Sequence, residues 1–136
     1  MLNLLFVYGT LRSEFDSRYA RLLHSHAELV GGATVPGSIY RVRHFPAYRP
    51  EPPGEVCGEL YRLSSPETTL AALDDYEGSD FDRLLCGART LACRVETHLD
   101  TCLQSPTECA RHAWIYQFKL QPPDRSRIAS GDFCTP

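Results

Sequence analysis

The chain has 136 residues, is 43% hydrophobic and 23% charged, and carries a formal net charge of -3, which fits one globular domain over residues 1–136 with a core that needs no disulfide or structural metal. That mild acidity supplies no electrostatic pull toward nucleic acid or an anionic membrane, so a small molecule or another protein is the expected partner. No run approaches the roughly 20 apolar residues that span a bilayer, and residues 1–8 show neither a basic region before the apolar stretch nor a small-residue cleavage site after it, so a cytoplasmic protein is expected.

Leu4-Leu5-Phe6-Val7-Tyr8 is a short apolar run rich in strand formers that stops at Gly9, which predicts a buried strand delivering the chain into a turn. Over residues 15–26 the apolar positions Tyr19, Leu22, Leu23 and Ala27 recur at helical spacing behind Asp16 or Ser17 as N-cap, predicting a helix of about three turns. Residues 29–35, 38–43 and 56–63 are strand-like, with breaks at Gly31-Gly32 and Pro36-Gly37 and a longer surface loop over the proline-rich residues 45–54. Ser64-Ser65-Pro66-Glu67 combines a hydroxyl cap, a first-turn proline and a carboxylate near the positive end of the dipole, so a second helix is expected from there through Leu70 and Leu73 to about Tyr76. Residues 84–97, where Leu91, Cys93 and Val95 alternate with Ala92, Arg94 and Glu96, and residues 113–120 predict an antiparallel pair joined by an exposed hairpin extension over residues 98–112. The tail, residues 121–136, is expected to close against the body. Most strands join through turns too short for parallel crossovers, so the predicted fold is α+β: a small mixed, mostly antiparallel sheet curved into a barrel with two helices beside it.

Six cysteines without a C-x-x-C pair or an export signal are expected to be reduced thiols, and five scattered histidines offer no zinc-ligand spacing, so no metal site is expected. There is no Walker loop, G-x-G-x-x-G, G-x-S-x-G elbow or H-E-x-x-H. Two clusters remain. A strand ending in Tyr8-Gly9-Thr10-Leu11 can present consecutive backbone N–H groups as a cradle for a carboxylate or a developing oxyanion, although glycine can equally just end a strand. Asp74, Asp75 and Glu77 place negative charge at a helix C-terminus, where it opposes the macrodipole; this suits a solvated helix end, or a Glu77 turned inward at the Gly78 break with its pKa raised toward the range of a general acid or base.

Together these residues resemble the γ-glutamylcyclotransferase-like, or AIG2-like, family. The matching phrases run in order: Phe6-Val7-Tyr8-Gly9-Thr10-Leu11-Arg12, Gly37-Ser38-Ile39-Tyr40, Phe45-Pro46-Ala47, Val56-Cys57-Gly58-Glu59-Leu60-Tyr61, Leu73-Asp74-Asp75-Tyr76-Glu77-Gly78, Ala113-Trp114-Ile115-Tyr116 and Ile128-Ala129-Ser130-Gly131-Asp132-Phe133. The resemblance implies a small barrel with flanking helices, a cavity floored by the Tyr-Gly-Thr-Leu loop, and Glu77 as acid/base in cofactor-independent release of 5-oxoproline from a γ-glutamyl amine or amino acid. It also implies substrate contacts from Tyr8, Gly9, Thr10 and Leu11. Tyr116 is expected either to face that cavity or to fill the core, and Arg83 either to bind a substrate carboxylate or to pair with Asp80 or Asp82. One departure stands out: many relatives have a tyrosine where this chain has Phe81, which removes a phenolic hydrogen bond and leaves the substrate open. A binding domain without turnover, and an enzyme acting on a different amide or ester, are the alternatives. The catalytic reading requires Glu77 to face the largest cavity together with the Gly9 to Leu11 amides.

Overall fold

The computed structural model describes residues 2–43, 45–51, 54–90 and 110–134. In chain order these form β1 (Leu4–Val7), α1 (Arg18–Ser25), β2 (Ala27–Pro36), β3 (Ser38–Val42), β4 (Phe45–Arg49), β5 (Glu55–Leu63), α2 (Pro66–Glu77), β6 (Phe81–Thr90), β7 (Ala110–Phe118) and a short 3-10 turn, Asp124–Ser126. Five strands close a barrel in the order β1-β5-β2-β6-β7, and β3 and β4 make a separate two-stranded sheet. The barrel pairs are antiparallel except at closure, where β7 meets β1 in parallel through Leu5 and Trp114. The expected α+β barrel with two flanking helices is therefore the architecture observed.

The apolar run of β1 exists because both its faces are covered. Leu4 and Phe6 enter one core cluster with Tyr8, Ile39, Leu60 and Ile115, while Leu5 and Val7 enter a second with Leu23, Tyr61 and Leu73, where the two helices pack. Burying a side chain such as Leu5 or Phe6 contributes about 1.5–3 kcal/mol, so this short strand anchors the sheet out of proportion to its length. Both faces being dry is also why no polar residue interrupts it.

Several boundaries differ from expectation. The first helix begins at Arg18, with the Ser17 hydroxyl accepting from Ala20 N–H, because the preceding residues are spent on turns in which Arg12 N–H donates to the Gly9 carbonyl and Phe15 N–H to that of Arg12. Gly31-Gly32 is no break: it is an irregularity inside β2, where the pairing with β5 shifts between Leu29 and Gly31, the usual role of an isolated glycine in a strand. Residues 45–49, expected in a loop, form β4 and pair with β3, with Pro46 opposite Arg41; an edge strand accommodates a proline because one side of it needs no donor. At the start of α2, Ser65 makes no side-chain cap bond, and the Ser64 hydroxyl donates to the His26 carbonyl instead. The β6/β7 pair is antiparallel as expected, but it begins at Phe81 and reaches back to Ala110. The alternation expected over residues 91–97, and most of the hairpin extension expected over 98–112, fall outside the described residues.

The tail closes against the body. Ile128 N–H donates to the Ile39 carbonyl and Cys57 N–H to that of Gly131, while the Arg12 guanidinium pairs with Asp132 at 2.9 Å. Among the described cysteines Cys57, Cys86 and Cys134 are free thiols. No helix among the described residues is long and apolar enough to cross a membrane.

Candidate active site

The end of β1 and the end of α2 converge. Tyr8, Gly9, Thr10 and Leu11 line a cleft of about 290 Å3 together with Tyr76, Glu77, Asp80, Phe81 and Tyr116, and β4 supplies Phe45 and Pro46. Two shallower surface grooves, of about 420 and 560 Å3, enclose more space, so this cleft is not the largest by volume as the sequence reading required. It is, however, the one that joins Glu77 to the loop.

The loop is held by its neighbours. Tyr8 is buried, its hydroxyl donating to the Tyr116 carbonyl at 2.6 Å and accepting from Tyr48 N–H at 3.3 Å, so one phenol ties β1 to β7 and β4. Burial first, then the Glu77 charge, holds that phenol well above its ordinary pKa. At Gly9 a side chain is excluded by contact, since a Cβ there would lie 2.6 Å from Pro46 Cγ. Thr10 Oγ1 and the Tyr76 hydroxyl are 2.9 Å apart, linking the loop to α2, and Tyr76 stacks on Tyr19 with centroids 4.5 Å apart. No hydrogen bond joins the amides of Gly9, Thr10 or Leu11 to another described residue, which leaves them available to an anion.

Glu77 is the last residue of α2, and Gly78 ends the helix with φ 83 while its N–H closes on the Asp74 carbonyl. That left-handed conformation is cheap only for glycine, and it lets the chain leave α2 with the Glu77 side chain turned to the cleft. Burial pushes the Glu77 carboxyl up, the Asp74 charge adds to it, and the result is a pKa of about 7 against an ordinary 4.5. Near neutrality such a group exists in both protonation states, so it can take and return a proton. Among the described residues no group hydrogen-bonds its carboxylate.

The opposite wall is aromatic. Phe81 packs against Phe118 at 5.2 Å and Phe45 at 5.7 Å between centroids, so its ring belongs to an apolar cluster. Tyr116, for which the expectation was left open, does both things: its residue is 4% exposed and lines the cleft, while its hydroxyl donates to Asp74 at 2.7 Å. Arg83 does not line the cleft. Its guanidinium engages Asp74 through Nε at 2.8 Å and Nη2 at 3.2 Å, so the ion pair expected with Asp80 or Asp82 is corrected to one with Asp74. Asp74 sits nearer because α2 packs on β6, whereas Asp82 is exposed on the strand and Asp80 on the turn before it. Sequence reasoning missed the walls from β4 and the contact of Pro46 with Gly9; the phrase Phe45-Pro46-Ala47 was the signal that these residues belong to the site. Among the described residues no cluster of His, Cys, Asp and Glu could hold a metal ion.

Comparison with known proteins bears on the family and the fold. The family model described as Gamma-glutamyl cyclotransferase, AIG2-like matches residues 5–135. No curated protein is a significant match. Among solved structures, YkqA from Bacillus subtilis is 24% identical with a TM-score of 0.67, and the alignment covers 97% of this chain but 39% of that one, so this chain spans well under half the length of that protein. An aig2-like protein from Mus musculus is 23% identical with a TM-score of 0.64, covering 88% of this chain and 80% of that one. Protein ytfP from Escherichia coli is 28% identical with a TM-score of 0.58, covering 97% and 96% of the two chains.

Proposed function

The chain belongs to the gamma-glutamyl cyclotransferase, AIG2-like family, and on that footing we propose that it releases 5-oxoproline from a γ-glutamyl amine or γ-glutamyl amino acid, with Glu77 as the acid/base. The observation that carries this reading is the meeting of a half-buried carboxyl, raised to a pKa of about 7, and the Gly9 to Leu11 amides in one cleft.

In the proposed reaction Glu77, as carboxylate, takes a proton from the substrate's α-ammonium. The freed α-amine attacks the γ-carbonyl carbon, a C–N bond forms, and the carbonyl electrons move to oxygen. That oxyanion, or the substrate's α-carboxylate, is bound by amides from Gly9, Thr10 and Leu11, donors whose geometry is set before the charge develops. Collapse of the intermediate breaks the original C–N bond. Two protons leave the α-nitrogen and two reach the departing nitrogen, so Glu77 ends in its starting state, and a positioned acid/base of this kind contributes about 10²–10⁴-fold. Because nucleophile and electrophile belong to one molecule, folding the γ-glutamyl chain back on itself supplies much of the rate. Tyr8 and Tyr116 would shape the wall against which the chain folds, and Phe45 and Phe81 would face the departing group. The reaction as written consumes no cofactor.

The test is 5-oxoproline release from a panel of γ-glutamyl amines, γ-glutamyl amino acids and glutathione, by the native protein and by Glu77→Gln. Turnover on at least one substrate that disappears in a folded Glu77→Gln supports the reading. Absence of turnover throughout, with panel members still raising the melting temperature, would replace it with a binding domain.

A further inference from the structure

Glu77 does not stand alone at the end of α2. Asp74 lies one turn earlier, at the i, i+3 spacing that sets two helix side chains side by side. Its oxygens receive hydrogen bonds from Arg83 Nε, Arg83 Nη2 and the Tyr116 hydroxyl. The guanidinium lies over Trp114, with Cζ 4.8 Å from the ring centroid, and its Nη1 is buried without a hydrogen-bond partner among the described residues. Among the described residues Asp74 is therefore the one acidic partner of Arg83, and the fork geometry fixes both groups more tightly than a lysine would. Tyr116 connects this pair to the cleft, which it lines beside Glu77. Neither Asp74 nor Arg83 lines the cleft, and the cyclisation chemistry makes no use of either.

We propose that Asp74 and Arg83 are positioning residues for Glu77, a charge pair behind the cleft whose balance decides the pH at which Glu77 exchanges its proton. This rests on the reading of Glu77 as the acid/base. Beside Glu77 in the cleft stand Tyr8 from β1, Tyr76 from α2, Asp80 from the following turn and Tyr116 from β7, while Asp74 lies one turn back on α2 and holds Arg83 from β6, and Asp75 lines a separate groove. Burial keeps the Tyr8 and Tyr116 phenols protonated well beyond neutrality, and Asp75 and Asp80 are exposed, where water screens them. Asp74 is the charge that Glu77 feels, and Arg83 is the charge that offsets Asp74. Neutralising Asp74 leaves an unbalanced cation near Glu77, which favours its carboxylate. Neutralising Arg83 leaves an unbalanced anion, which favours its protonated form.

The experiment follows the Glu77 side-chain carboxyl by 13C NMR titration of the free protein, assigned with Glu77→Gln, in the native chain, Asp74→Asn, Arg83→Gln and the double variant. Asparagine keeps one oxygen for the Tyr116 hydroxyl and Arg83 Nε, and besides the charge it removes the acceptor for Arg83 Nη2. The midpoint is expected to fall by about 0.5–1 pH unit in Asp74→Asn and to rise in Arg83→Gln, since the pair is partly exposed and the effect sits at the low end for neighbouring charges. The double variant is expected between Asp74→Asn and the native protein. Arg83→Lys, which keeps the charge and loses the fork, should leave the midpoint near native and separates charge from packing if Arg83→Gln folds poorly. Shifts in one direction for both single variants, no shift in either, or a raised KM in Arg83→Gln with an unmoved titration would overturn the proposal, the last in favour of direct carboxylate binding by Arg83. Where turnover exists, the acidic limb of kcat/KM should move in the same order. An intact order of midpoints in a protein that turns nothing over would count against the cyclisation reading and leave this one standing.

Discussion

Replacing Glu77 by glutamine should abolish turnover and yet stabilise the protein, by an amount that depends on pH. Folding raises the Glu77 pKa from an ordinary 4.5 to about 7, so the native state binds this proton more tightly than the unfolded chain does. The sign follows: the carboxyl costs nothing below about pH 4, native stability falls as pH rises from there to about 7, and above that the penalty is constant. A shift of that size amounts to about 3 kcal/mol at pH 9 and under about 1 kcal/mol at pH 5, using 1.36 kcal/mol per unit. Glutamine keeps the shape and carries no charge. Glu77→Gln should therefore melt about 10 °C higher than the native protein at pH 9, with the gap shrinking to a few degrees at pH 5. Thermal melts of the two proteins from pH 5 to 9 measure this directly, and only the difference between them matters, because every other titrating group is shared. A gap that does not change with pH, or a variant less stable at pH 9, would refute the claim that Glu77 is a desolvated carboxyl in a cleft.

The acidic limb of kcat/KM for 5-oxoproline release should have its midpoint near 7, because Glu77 must be ionised to take the α-ammonium proton, and a rate independent of pH between 5 and 8 would contradict this. Gly9→Ala should lower kcat/KM by about 10²-fold, since its Cβ would meet Pro46 Cγ at 2.6 Å and displace the loop by a fraction of an ångström or more; steady-state kinetics within twofold of native would argue against the loop's role. Tyr8→Phe should cost about 1–3 kcal/mol in urea unfolding, because it leaves the buried Tyr48 N–H and Tyr116 carbonyl short of a partner, and an unchanged midpoint would mean that water replaces the hydroxyl.

The legible parts of this protein are those whose physics is local. The run Leu4 to Val7 announces a strand dry on both faces, and Gly9 and Gly78 mark the two sides of the cleft, Gly9 because a Cβ there would meet Pro46 and Gly78 because it ends α2 with φ 83. Glu77 could be singled out because an acidic helix end is electrostatically costly unless something uses it. What escaped is long-range. Strand β4 looked like loop because Pro46 and the prolines after it are poor strand formers, and only pairing with β3 makes an edge strand of Phe45–Arg49. The Gly31-Gly32 pair looked like a turn because spacing alone cannot tell a turn from an irregularity inside a long strand. The partner of Arg83 was misjudged for the same reason: Asp80 and Asp82 are its neighbours along the chain, while Asp74 reaches it through the packing of α2 on β6.

The central claim is that the substrate's own amine is the nucleophile and that Glu77 moves its proton. The measurement that tests it most directly compares a turned-over γ-glutamyl amide with the same compound acetylated on its α-nitrogen, identifying the product by mass. The account predicts 5-oxoproline from the free amine and no reaction from the acetylated one, since an amide nitrogen has no lone pair free to attack. Release of glutamate from the free compound, or N-acetylglutamate from the blocked one, would mean that water is the nucleophile, and cyclisation would have to be abandoned for hydrolysis.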